Sequence, residues 1–176
     1  MSAVIVSLSL VIVICLLLII AAYLYNKFQD YIIRINEADV NIDSVLRKRF
    51  DLLKKSIDII KNATKTEEDI LLGVNELRSS KLSNFEFDRK LYDAINEFYL
   101  YKDKFEELHV CEAYIKIEAE LTESESEIIA LRKYYNDIVT DYNKIVMSFP
   151  SNLIASIKGY KKKEYFDGEK KGVIKL

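Results

Sequence analysis

From Ala3 to Leu24 the chain carries no charged residue, and only Ser7 and Ser9 interrupt an otherwise apolar run. As an α-helix this run rises about 33 Å, enough to cross a hydrocarbon layer about 30 Å thick. A cleaved secretory leader is the rival reading, but it requires a basic segment, a shorter apolar core and small residues at the cleavage point. Here no Lys or Arg precedes the run, and Ala21-Ala22-Tyr23 is a poor cleavage context. Cys15 follows Ile14 in mid-run, which does not suit a lipid-modified cysteine. The expectation is a transmembrane anchor over residues 1–25, with the lipid bilayer as its first partner.

Of the 176 residues, roughly 150 remain outside such a span, enough for one domain with a modest core. With only four Gly and one Pro, the chain lacks the turn residues of a many-stranded fold. A net charge of -2 gives no overall basic surface for nucleic acid. Cys15 in the run and Cys111 beyond it form no disulfide framework. Basic residues follow the run at Lys27 and Arg34 and none precedes it, which points to an N-out, C-in arrangement with a cytoplasmic soluble part. Asn62-Ala63-Thr64 fits a glycosylation acceptor, a motif that matters only in a secretory lumen.

Beyond the run, apolar residues recur at Phe28, Ile32, Ile35, Ala38, Ile42, Leu46, Phe50, Leu53, Ile57 and Ile60, at about 3.6 residues per step, which is one helix face. With no Gly or Pro between Ala3 and Lys61, span and stripe can form one rod. Asn62 to Lys65 break the pattern. Thr66 reads as an N-cap with Glu67, Glu68 and Asp69 in the first turn of a second helix. That helix is expected to span about fifteen residues, carry Ile70, Leu71, Val74 and Leu77, and end near Ser79-Ser80. Ser83 or Asn84 can cap a third, ending near Phe105. In the fourth, Tyr114, Ile117, Leu121, Ser124, Ile128, Leu131, Tyr135, Ile138, Tyr142, Ile145 and Phe149 alternate steps of three and four, a heptad seam. Pro150 stops simple continuation. The predicted fold is all-α: the transmembrane helix runs into an antiparallel, up-and-down four-helix bundle over 26–149, and a short C-terminal segment over 150–176 follows.

Short connections make helix 4 run back along helix 1. If Asn26 is level with Met147, then Arg47, Lys48 and Arg49 meet Ser126, Glu125 and Ser124, and Glu123 and Glu127 lie beside the same basic run. Interhelical ion pairs setting register are one reading; two separately solvated charged faces, with exposed pairs contributing about 0–1 kcal/mol each, are the other. The lower parts of helices 1 and 4 need an apolar cover, for which the chain after Pro150 is the candidate; self-association and lipid contact are the alternatives. From Lys158 onward seven lysines stand against Glu164, Asp167 and Glu169. Lys158, Lys161, Lys162 and Lys163, with Tyr165 and Phe166, are therefore candidates for contact with anionic headgroups.

Catalytic chemistry has little to work with. His109 is the single histidine; with Cys111 and Glu112 it matches no usual zinc spacing. Glu120, Glu123 and Glu127 lack the histidine partners of a di-iron bundle, and the four glycines form no phosphate loop. No catalytic, metal or cofactor residue is assigned, and no small-molecule substrate is expected.

Three blocks resemble the LemA family of membrane-anchored helical proteins. They are Tyr25-Asn26 with Ile42-Asp43 and Leu46-Arg47-Lys48-Arg49-Phe50-Asp51-Leu52; Glu120-Leu121, Glu125, Ile128, Arg132-Lys133 and Tyr135-Asn136-Asp137; and Phe149-Pro150-Ser151-Asn152-Leu153-Ile154-Ala155 with Gly159-Tyr160 and Tyr165-Phe166. The chain departs from the family pattern at Asp39, where Trp is usual, at Lys54 and Glu106, where Pro is usual, and at Ser126-Glu127, where Asn-Arg is common. The resemblance implies one N-terminal span and a helical bundle, and supplies no catalytic residues. The function expected from all of this is a non-enzymatic scaffold or interaction protein at the membrane; a lipid-binding or membrane-shaping protein acting through bundle and tail is the alternative.

Overall fold

The computed structural model describes residues 2–66, 69–77 and 82–166. It is all-α. The helices are α1 (Ser2–Thr64), α2 (Leu72–Leu77), α3 (Asn84–Lys104), α4 (Glu112–Met147) and α5 (Ser151–Lys158), with a 3-10 turn at Glu106–His109 between α3 and α4. No strand occurs among the described residues.

The absence of Gly and Pro leaves nothing to interrupt α1. Its last turn takes in Asn62, Ala63 and Thr64, which were expected to break it, and Thr64 Oγ1 donates to the Ile60 carbonyl at 2.8 Å. Near the other end, Ser7 and Ser9 donate to the carbonyls of Val4 and Ile5 at 2.9 and 2.8 Å, so neither hydroxyl needs water. None of the apolar window is buried on the protein.

The chain's contacts divide it into two compact units, Met1–Glu37 with Tyr135–Tyr165, and Ala38–Tyr134 with Phe166–Leu176. In the first, α1 and the last turns of α4 pack through Phe28, Ile35, Ile138, Val139 and Tyr142, all buried. The rings of Phe28 and Tyr142 meet edge to face at 6.2 Å, and Tyr160 lies 4.9 Å from Phe28. α4 ends at Met147, and the chain turns through Ser148, Phe149 and Pro150 into α5. The seam therefore stops short of Phe149, which is exposed: the helical period that would have turned it inward no longer holds. Gly159 ends α5 at φ 71°, the left-handed geometry glycine adopts without a Cβ penalty, and Tyr160 N–H reaches back to the Ala155 carbonyl at 2.8 Å. From there the chain climbs beside α4, held by Asn143. The Asn143 Nδ2 donates to the Lys163 carbonyl and its Oδ1 accepts from the Lys163 N–H, both at 2.9 Å.

In the second unit, α3 lies parallel to this part of α1, with Asn84 at Asp39 and Phe87 at Phe50. α3 and α4 are antiparallel, with Asp88 at Arg132 and Lys102 at Glu118. α3 opens on a capping box: Ser83 accepts from Glu86 N–H while the Glu86 carboxylate accepts from Ser83 N–H. Tyr114 is fully buried, stacks on Phe98 at 4.5 Å and donates to the Phe98 carbonyl at 2.7 Å. Burial, followed by the nearby Glu118 charge, pushes its hydroxyl pKa upward.

α2 is a six-residue stub rather than the longer helix expected from its apolar residues. Lys65 and Leu71 adopt left-handed φ values of 52° and 50°, which a helix cannot accommodate. Leu71 is held there by tertiary contacts: its side chain is fully buried and its N–H donates to Glu97 Oε1 at 3.1 Å. Ile70 is buried but precedes the helix. Of the expected cap, Thr66 lies outside any helix, while Glu67 and Glu68 fall outside the described residues, as does the expected helix end at Ser79-Ser80.

Candidate functional site

Two features stand out, one in each unit. In the second, four charged residues from three helices converge. Arg49 lies on the inward face of α1, in step with Val45, Leu52, Leu53 and Ser56, and its side chain is only 3% exposed. Its Nη2 donates to Glu125 Oε2 of α4. Arg132, two turns farther along α4, donates through Nη2 to Asp88 Oδ1 of α3 at 2.5 Å. The quartet is charge-balanced, so its field cancels at a distance while each pair is short. Among the described residues, the Nε atoms of Arg49 and Arg132 are buried without a hydrogen-bond partner. Burial raises the Asp88 pKa; the Arg132 hydrogen bond and charge and the Arg49 charge oppose this without cancelling it, and Glu125 adds to it.

The residues singled out for charge register separate. Arg49 meets Glu125, the carboxylate assigned by the level estimate to Lys48, because Arg49 and not Lys48 is on the buried face. Arg47 pairs within its own helix, with Asp43 at 2.7 Å, and this hydrogen bond and charge raise its pKa. Lys48, Glu123 and Glu127 are exposed, with no ion pair among the described residues. Asp88 was not singled out from sequence, and Arg132 only as part of the family pattern and not as an ion-pair residue, although Asp88 falls in step with Leu91, Ile95 and Phe98, and Arg132 with Ile128 and Tyr135.

Of the candidate headgroup contacts, Lys161, Lys162 and Lys163 are exposed, and Lys158 Nζ sits 5.2 Å from the Tyr25 ring centroid. Tyr165 is half-exposed, with its hydroxyl 3.4 Å from Thr140 Oγ1. Phe166 is not at the surface: it is 3% exposed and packs on Phe85 at 4.5 Å, because an aromatic ring gains more from that apolar contact than from water. Lys170, Lys171 and Lys175 lie outside the described residues. In the first unit, an apolar groove of about 430 Å³ lies between the end of the apolar run of α1 and α5.

The family model described as the LemA family matches residues 38–174, which is most of the chain. The chain belongs to the LemA family. A comparison with curated proteins gives no match. The LemA match begins at Ala38, past the apolar run, and takes in all four members of the charged quartet. Asp39 fastens the start of α3 to α1: its Oδ1 and its carbonyl both accept from Asn84 Nδ2, at 3.0 and 3.1 Å. In this LemA chain His109 is exposed in the 3-10 turn. Among the described residues, no group of three or more His, Cys, Asp or Glu is placed to hold a metal ion.

Proposed function

We propose that this LemA-family chain is a single-pass, membrane-anchored helical protein without an enzymatic role, which presents its helical surfaces to protein partners or to further copies of itself. The observation that carries the proposal is the apolar window of α1, exposed on every side. A helix apolar all round is stable only in an apolar medium, and its internally bonded backbone suits the bilayer. Lys27 and Arg34 after the window favour a cytoplasmic C-terminal part. Tyr114, Tyr135 and Tyr142 of α4 are buried in the core; Tyr92 and Leu100 of α3 and Ile129 and Tyr134 of α4 are exposed and remain for partners.

The test is made on the full chain in its native membrane. The protein should stay with the membranes through alkaline carbonate, and a C-terminal tag should be cut by protease only when the cytoplasmic face is opened. Photo-crosslinking groups at Tyr92 and Leu100 should yield protein adducts. Release by carbonate overturns the anchor, and absence of adducts at both positions overturns the interaction role. Exposure of Lys161, Lys162 and Lys163 supports a second reading, electrostatic lipid binding by the C-terminal segment. It predicts extra affinity for anionic vesicles that high salt removes.

A further inference from the structure

We propose that the elbow between α4 and α5, Ile145–Ile157, is a second membrane contact, seated at the headgroup–acyl boundary of the leaflet that receives the end of the apolar run of α1. The inference rests on the reading of α1 as a membrane span.

Three independent observations lead to it. The first is composition: no charged residue occurs from Ile145 to Ile157, and Lys144 and Lys158 stand at the two ends. The second is exposure. Phe149 and Ile157 are 80% and 82% exposed, and Leu153 and Met147 more than half. Phe149, Leu153 and Ile157 are spaced four apart, so from Leu153 to Ile157 the apolar stripe follows one face of α5, opposite buried Ala155. Such a stripe in water is a continuous apolar patch, the mark of a contact surface. The third is position. Ile154 and Ile157 line the groove together with Leu18, Ala21, Ala22 and Tyr25 of α1. α5 therefore lies beside about the last 10 Å of the apolar run, not beyond it. If that run is in lipid, the elbow is at the depth where interfacial helices bury their apolar face.

The backbone of the elbow is suited to that depth, where an unpaired polar group is costly. Ser148 N–H donates to the Lys144 carbonyl at 2.9 Å, Asn152 N–H to Ser148 at 2.8 Å, and Leu153 N–H to Pro150 at 3.2 Å. Ser151 Oγ bonds to the carbonyls of Ile145 and Ser148 at 2.6 and 2.8 Å. Pro150 has no N–H to satisfy. Lys158, set over Tyr25, places its charge at the level where Lys and Tyr anchor helices at the interface. Lipid is favoured over a protein occupant because the patch is continuous with the apolar run and flanked by lysines.

The chain contains no tryptophan, so a single introduced Trp reports on one place. Full-length F149W and I157W are reconstituted in vesicles of phosphatidylcholine and phosphatidylglycerol, with the phosphatidylcholine brominated either near the headgroup end or deep in its acyl chains. V13W reports on the span and V110W, in the exposed turn after α3, reports on water; circular dichroism checks that each variant is folded. F149W and I157W should both be blue-shifted, quenched by the shallow bromines and shielded from aqueous iodide, while V13W is quenched by the deep bromines and V110W by iodide alone. Iodide quenching of F149W or I157W, with V13W still quenched by lipid, overturns the elbow contact alone. Shielding of both from iodide and bromine means that protein covers the patch and also overturns it. A V13W signal indifferent to bromine overturns the span and the elbow together.

Discussion

Glu125→Ala should destabilise the second unit far more than Arg49→Met, although the two substitutions break the same ion pair. Removing Glu125 leaves a guanidinium whose side chain is 3% exposed without its counter-charge. One orphaned member of a buried pair costs about 3–5 kcal/mol. Asp88 lies close enough to feel the Arg49 charge and offsets part of the loss, so about 3 kcal/mol is expected. Arg49→Met keeps the apolar stem and leaves a carboxylate that is 38% exposed and can hydrate, at a cost of about 1 kcal/mol. The double variant buries no orphaned charge and should also cost about 1 kcal/mol, a coupling of about 3 kcal/mol, or more than a hundredfold in the folding constant. The assay is urea unfolding of the full chain in mild detergent, followed by near-ultraviolet circular dichroism of the buried tyrosines. Equal losses for the two single variants, or a double variant whose cost is their sum, would refute the reasoning that burial asymmetry governs the pair.

Asp88, whose pKa is raised by burial, holds a proton more tightly folded than unfolded. Its stabilising contribution is therefore complete below the ordinary carboxylate range near pH 4 and is lost as pH rises through its raised value. Unfolding measured across mildly acidic pH should show this decline in the wild type, and Asp88→Asn should remove it; an identical profile in both would exclude Asp88 as its source. Asn143→Ala should cost about 1–3 kcal/mol by removing both hydrogen bonds to the Lys163 backbone. Because the chain from Tyr160 to Tyr165 loses its attachment to α4, amide exchange at Lys163 should accelerate while exchange at Leu121 does not.

The charged quartet also bears on specificity. Two charge-balanced pairs between three helices contribute little net stability, since desolvation offsets much of their attraction. A shift of α3 along α4 would bury Asp88 and Arg132 apart, a large penalty for a small displacement. That penalty is a physical reason for the pairs to fix which turns of these helices meet.

α1 and α4 were legible in the sequence because each carries a long apolar period with no Gly or Pro, and because an uninterrupted period has one low-energy arrangement. The cap of α3 was legible to within one residue, Ser83 or Asn84, because capping is local; the box with Glu86 makes it Ser83. α2 was not, since the left-handed turn at Leu71 depends on a carboxylate from α3 that lies far off in sequence. The charged residues of the candidate site were only partly legible: a charge on an apolar face looks like a lapse in the pattern until its partner is located, which is why Lys48 seemed as good a partner for Glu125 as Arg49. Phe149 and Phe166 show the same limit, one predicted inside and found exposed, the other assigned to a membrane surface and found buried.

By itself, then, the order of residues determined the helical class, the apolar run and the faces of the long helices, all of which depend on backbone hydrogen bonding and local spacing. Only the tertiary structure decided which charges are buried, where α2 begins and where the chain turns after α4. Those outcomes depend on contacts between segments many turns apart, and on whether a buried polar atom finds a partner there.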